Sequence, residues 1–143
     1  MDSVETFPVG DPVRILVVDD FPPFRESVCS LFLRYEALTV VGEAADGQAA
    51  IEMADRLAPQ IIIMDVKMPR MGGVEATRRI KIAFPSIHII AISAHEDTFL
   101  KASMTAVGSS IFVTKDRAHT LPDVIATITG RPIRSDYHFG GTS

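Results

Sequence analysis

The sequence predicts a doubly wound α/β domain: five parallel strands alternate with five helices, and the helices cover both faces of one sheet. Three observations point there. Short apolar runs alternate five times with longer amphipathic segments. Three of the runs, ILVVDD, IIIMD and IFVTK, end abruptly in charge at Asp19 and Asp20, at Asp65 and at Lys115. The chain's 143 residues, 47% hydrophobic and 22% charged, suit one domain around a single core.

The elements follow in order. Val13–Val18 is β-branched and uncharged after Arg14, a first strand. A helix is expected over 22–35, with Phe24, Val28, Leu31, Phe32 and Tyr35 at helical spacing and Pro22 and Pro23 in its first turn. Leu38–Ala44 reads as the second strand. The second helix spans 47–58, with Ala50, Met53, Ala54 and Leu57 on one face and Pro59 as its stop. The apolar run 61–64 is too short for a helix and suits a central parallel strand. Residues 68–73, MPRMGG, form a loop. A third helix over 74–84 aligns Val74, Thr77, Ile80 and Phe84. The fourth strand is 87–92, and a helix with a thin apolar stripe follows over 97–107. Ile111–Thr114 is the fifth strand. The last helix, 120–129, turns Leu121, Val124, Ile125 and Ile128 inward and stops at Gly130, ahead of Pro132.

Composition excludes several classes. A formal charge of −4 gives no general attraction to nucleic acid. A single cysteine, Cys29, rules out an internal disulfide and is expected to fill space on an apolar helix face. The first residues lack the basic and apolar regions of a signal peptide, and no apolar stretch approaches the roughly 18 residues that span a bilayer. A cytoplasmic setting is expected. Residues 1–12 read as a flexible N-terminal segment, 13–130 as the folded domain, and 131–143 as a tail or truncated linker.

In a parallel sheet, ligands sit beyond the carboxyl ends of the strands. Asp19, Asp20, Asp65, Ser93 and Lys115 all fall there. Three carboxylates in one cleft repel each other and invite a hard divalent cation such as Mg2+. Asp65 is the candidate nucleophile, able to attack phosphorus and hold an acyl phosphate; alternatively it caps the following turn. Asp19 and Asp20 are candidate metal ligands, or caps of the first helix, and the backbone carbonyl of Lys67 completes the set. Ser93 is placed to hydrogen-bond a phosphoryl oxygen or simply to end its strand. Lys115 would pair with Asp65 beforehand and with the phosphate afterwards. Phe112 is either core packing or a rotamer switch. His95 lies on the rim. Nucleotide-cradling loops are missing, and His88, His95, His119 and His138 show no metal-ligand spacing. The basic cluster Arg78, Arg79 and Lys81 covers an exposed helix face or meets an acidic partner.

With these residues assembled, the chain resembles the receiver domain of bacterial two-component response regulators. The motifs ILVVDD, VVGEAADG, IIIMDVKMPRMGGVEATRRI, IIAISA and IFVTKD stand in family order from about Val13 to Gly130. VVGEAADG with MPRMGGVEATRRI is most similar to the NarL/FixJ subfamily. The resemblance implies a flavodoxin-like, CheY-like sheet in the order 2-1-3-4-5. It implies that Asp65 accepts a phosphoryl group from a sensor histidine kinase or histidine phosphotransfer protein, with Mg2+ held by Asp19, Asp20, Asp65 and the Lys67 carbonyl. Ser93 and Lys115 would bind the phosphoryl oxygens, Phe112 would turn inward as Ser93 moves, and Lys67 and His95 would tune the lifetime of the adduct. It further implies slow autodephosphorylation, a phosphorylation-dependent homodimer, and transcriptional output through a DNA-binding domain beyond this chain. A natural single-domain receiver, a phosphorylation-independent pseudo-receiver and an aspartyl phosphohydrolase are the rival expectations. One departure stands out: Asp116 follows the lysine where many receivers have proline.

Overall fold

The computed structural model describes residues 10–135. Residues 1–9 and 136–143, which hold most of the two expected loose ends and His138, lie outside the described residues. The elements run β1 (Val13–Val18), α1 (Pro22–Phe32), β2 (Leu38–Ala44), α2 (Gly47–Leu57), β3 (Ile61–Asp65), α3 (Gly73–Ala83), β4 (His88–Ser93), α4 (Thr98–Ala106), β5 (Ile111–Thr114) and α5 (Leu121–Thr129). The strands form one sheet in the order β2-β1-β3-β4-β5, all pairs parallel, as the resemblance implies.

Several boundaries differ from the sequence reading for local reasons. Helix α1 ends at Phe32 rather than at residue 35. The next amides bond three residues back, Arg34 to Leu31 and Tyr35 to Phe32, and this tighter turn feeds β2. Helix α2 stops at Leu57 because Ala58 is left-handed (φ 48°) ahead of Pro59. Asp97 is not the first residue of α4 but its N-cap, accepting the Leu100 N–H at 3.0 Å. Asp46 caps α2 likewise, through the Ala49 N–H at 2.9 Å. A 3-10 segment, Lys115–Thr120, which the hydrophobic pattern gave no reason to expect, leads into α5. Asp116 accepts a hydrogen bond from the Thr114 hydroxyl at 2.5 Å there.

The sheet separates two apolar layers, and the period-2 alternation of strands assigns residues to them. Val13, Ile15 and Val17 of β1 and Ile61 and Ile63 of β3 face Val28 and Phe32 of α1 and Leu121 and Ile125 of α5. Leu16, Val18, Ile62 and Met64 face Ala50 and Ala54 of α2, Ala76 and Ile80 of α3 and Met104 of α4. Strand β2 breaks the alternation. Ile15 pairs with Val40 but Leu16 pairs with Gly42, so Val41 is an extra residue. Leu38 and Val40 therefore join the α1/α5 layer, whereas Ala44, of the same parity, joins the α2/α3/α4 layer.

The remaining expectations are quickly placed. Cys29 is half-buried beside α1's apolar neighbours, and burial first, then Glu43, pushes its thiol up to about 11. Arg78 and Arg79 both pair with Glu75 on the surface of α3. Lys81 turns away from them and donates to the carbonyls of Pro85 and Ile87. Among the described residues no helix is long and apolar enough to cross a membrane.

Candidate functional site

Register brings the chemistry to one edge. Val18 pairs with Met64, so Asp19 and Asp65 leave their strands at the same height. Asp65 in turn pairs with Ile92, one residue before Ser93, and Ser93 pairs with Thr114, one residue before Lys115. Alternation then sorts the side chains. Asp19 and Asp65 continue the parity of the α1/α5 layer; Ser93 and Phe112 continue that of the α3/α4 side. A charged group from one side of the sheet and a hydroxyl from the other thus converge on Asp65.

Asp19, Asp20 and Asp65 each offer a carboxylate oxygen, and these oxygens all lie within 4.8 Å of one another. Asp19 and Asp65 are buried; Asp20 is exposed. Asp19 Oδ1 accepts the Phe21 N–H at 2.8 Å, and the Asp19 carbonyl accepts from Arg25 Nη1 at 2.7 Å. Arg25 is itself fixed by Glu43 at 3.1 Å. Neither aspartate caps α1: its N-cap is Phe21, without a side-chain hydrogen bond. Asp19 Oδ2 is buried and makes no directed hydrogen bond. Its neighbour is the Lys115 ammonium, 2.7 Å away, a charge contact off the hydrogen-bonding direction.

Lys115 pairs with Asp65 as expected, at 3.9 Å from Oδ2, and lies closer still to a second carboxylate, Asp19, at 2.7 Å. Its position one residue past β5, at the start of the 3-10 segment, directs it back over α1, where its Nζ lies 4.6 Å from the centroid of the Phe24 ring.

Asp65 carries the electrostatic cost of this arrangement. Its pKa is raised to about 7, first by burial, then by the charge of Asp19 and, less, by Asp20; Lys115 and a backbone hydrogen bond from Lys67 oppose the rise. One ammonium shared among three carboxylates leaves Asp65 held this far up and Asp19 Oδ2 without a directed hydrogen bond, so positive charge at the site is short. A small divalent cation bound by oxygen supplies it, so the residues present fit Mg2+.

Above the carboxylates opens a cleft of about 220 Å³, lined by Asp20, Asp65, Lys67, Ser93, His95 and Lys115 among others. Ser93 is buried, its Oγ 3.5 Å from the His95 N–H. His95 and Lys67 are exposed at the mouth. Phe112 is half-buried against the α2/α3/α4 layer, so it already packs on the core without being enclosed by it. A larger groove of about 340 Å³ runs along α1 from Ser27 to Arg34 against Ala118 and His119, and gathers no carboxylates.

Sequence reasoning missed three contributors. Asp97 lines the cleft as well as capping α4; its position before a helix beginning at residue 98 was the available signal. Arg25 and Phe24, which brace Asp19 and Lys115, read only as helix residues, because their partners come from other strands. Arg70 is the other surprise. Left-handed (φ 66°), it pairs with the cap Asp46 at 2.6 Å and ties the loop after β3 to the start of α2.

Comparison with known proteins agrees with this geometry. A family model described as "Response regulator receiver domain" matches residues 15–126. The chain is 44% identical over 98 residues to a protein-glutamate methylesterase/protein-glutamine glutaminase of Myxococcus xanthus, 68% of this chain and 28% of that one. It is 34% identical over 103 residues to the response regulator GacA of Pseudomonas viridiflava, 72% of this chain and 48% of that one. The chain thus spans between about a quarter and a half of these curated relatives. The signal receiver domain of the NarL response regulator of Mycobacterium tuberculosis superposes with a TM-score of 0.77 at 31% identity, covering 85% of this chain and 99% of that one.

Proposed function

Since the chain belongs to the response regulator receiver domain family of two-component systems, we propose that it is a phosphorylation-driven switch with Asp65 as phospho-acceptor. The observation that carries the reading is the convergence of three carboxylates and one ammonium, with Asp65 raised to about 7 in their midst.

Asp19, Asp20, Asp65 and the Lys67 carbonyl would hold Mg2+, which would screen the carboxylates from the oxygens of the incoming group. An Asp65 oxygen attacks the phosphorus of a phosphohistidine on a sensor kinase or phosphotransfer protein. The new O–P bond forms as the P–N bond breaks, and its electron pair leaves with the imidazole. Lys115 moves from Asp19 to a phosphoryl oxygen, and Ser93 donates its hydroxyl to another. The adduct adds roughly −1.5 to −2 charges. Because Ser93 and Lys115 make these contacts only in the phosphorylated state, they shift the population toward it. Phe112 turns inward as Ser93 moves, and the change reaches the face of α4, β5 and α5, where it drives homodimerisation or docking. Water later hydrolyses the acyl phosphate slowly, at a rate tuned by Lys67 and His95. Output is transcriptional, through a DNA-binding domain of a longer regulator.

The test is incubation with acetyl phosphate and Mg2+ followed by intact-mass measurement. One added phosphoryl unit is expected on the wild type and none on Asp65→Asn. An adduct that survives in Asp65→Asn, or none on wild type in the presence of a phosphohistidine donor, overturns the assignment.

A further inference from the structure

We infer that Phe24 is a positioning residue for Lys115: the face of its ring fixes where the ammonium waits before the phosphoryl group arrives. The inference rests on the reading that Lys115 meets that group.

Lys115 Nζ lies 4.6 Å from the Phe24 ring centroid, within the distance at which a ring quadrupole attracts a cation. The Lys115 side chain is 22% exposed, so the contact is partly shielded from water, where such attraction is stronger. The ring's own place is fixed from below, since Phe24 is half-buried and packs against the α1/α5 layer. Arg25, the next residue, is held by both the Asp19 carbonyl and Glu43, which pins the first turn of α1 to the end of β1. The helix start, the ring and Asp19 therefore form one cradle, and the ammonium rests in it closer to Asp19 than to Asp65.

Two consequences follow for the reaction. The ammonium is held within one short swing of Asp65, because it already stands 3.9 Å from that carboxylate. And the ring keeps attracting the cation as Lys115 leaves Asp19, so the ammonium does not escape to solvent. A purely apolar residue of the same size would fill the space below and hold nothing above.

The experiment separates those two roles. Phe24 is replaced with 4-fluoro-, 3,5-difluoro- and 3,4,5-trifluorophenylalanine, which keep the ring's shape and progressively weaken its quadrupole, and with leucine. The maximal rate of acetyl-phosphate-driven phosphorylation is read, together with the chemical shift of the Lys115 ε-methylene protons in metal-free protein. The expectation is an upfield-shifted ε-methylene in the wild type, a shift that shrinks along the fluorinated series, and a rate that falls in step to about three- to tenfold below wild type. The concentration of Mg2+ giving half the rate stays within about twofold, as the ring offers the cation no oxygen ligand. A loss of rate in Phe24→Leu with no graded loss along the fluorinated series shows that Phe24 only packs, and overturns the inference. An unshifted ε-methylene in wild type overturns it as well. Failure of the underlying reading shows differently: Lys115→Met would then phosphorylate at the wild-type rate, while the ring–ammonium contact still appears in the shift.

Discussion

Asp65 is held against its own chemistry. An ordinary aspartate loses its proton near 3.9, and this one near 7, a difference worth a few kcal/mol, or about two buried isoleucines. The sign of the consequence is fixed. The folded pKa lies above the unfolded one, so the stability contributed by the protonated form is complete below about pH 4 and is lost as pH rises toward 7. Asp65→Asn keeps the neutral shape and removes the titration. In metal-free buffer its melting temperature is expected to exceed that of wild type by roughly 10 °C or more at pH 8, with the gap closing by pH 4, as followed by circular dichroism. Millimolar Mg2+ should raise the wild-type value at pH 8 and leave the variant's nearly unmoved. Equal melting curves for the two proteins across this range would mean that Asp65 is not strained. Much of this residue's placement was legible in the sequence, since a charge closing an apolar run has to surface at a strand end. What could not be read was which carboxylate the lysine favours. That depends on where a 3-10 turn sets its Cα and on a phenylalanine in another element, and neither leaves a trace in local spacing.

Helix α3 begins against Asp65 itself. A Cβ on Gly73 would collide with the Asp65 carbonyl oxygen and press on Val66 Cα at 2.9 Å, both backbone atoms that have no rotamer to retreat into. The Gly73 N–H also bonds to the Val66 carbonyl at 2.9 Å. Gly73→Ala is therefore expected to cost about 3 kcal/mol or more in urea unfolding, and to slow phosphorylation by shifting Asp65. A substitution that leaves both unchanged would show that the loop yields. The alternating runs and stop signals sufficed to find every strand and α-helix. The ends moved by one to three residues where a capping side chain, a left-handed alanine or a tightened turn decided them. Those are tertiary choices: Asp46 caps α2 while being drawn by Arg70 from the loop after β3.

The molecule as a whole is one sheet whose two layers meet the site from opposite directions. Carboxylates and ammonium belong to the α1/α5 side, and the Ser93 hydroxyl and Phe112 to the other. A change at Asp65 that draws Ser93 inward should therefore be felt across α4 and β5 before α2. With beryllofluoride and Mg2+, amide resonances are expected to shift over Thr98–Ala106 and Ile111–Thr114 and to stay put over Gly47–Leu57. Shifts confined to the loops lining the cleft would count against propagation. The methylesterase and GacA relatives show that matching segments occur in proteins with different names and lengths.

The unpaired Val41 has a corollary of its own. Because it is the one residue of β2 without a partner on β1, removing it would restore strict alternation and leave Glu43 facing α1 and Ala44 facing α2, each still opposite its present neighbour. The edge strand therefore carries one surplus residue as slack, and its two halves keep their faces with or without it.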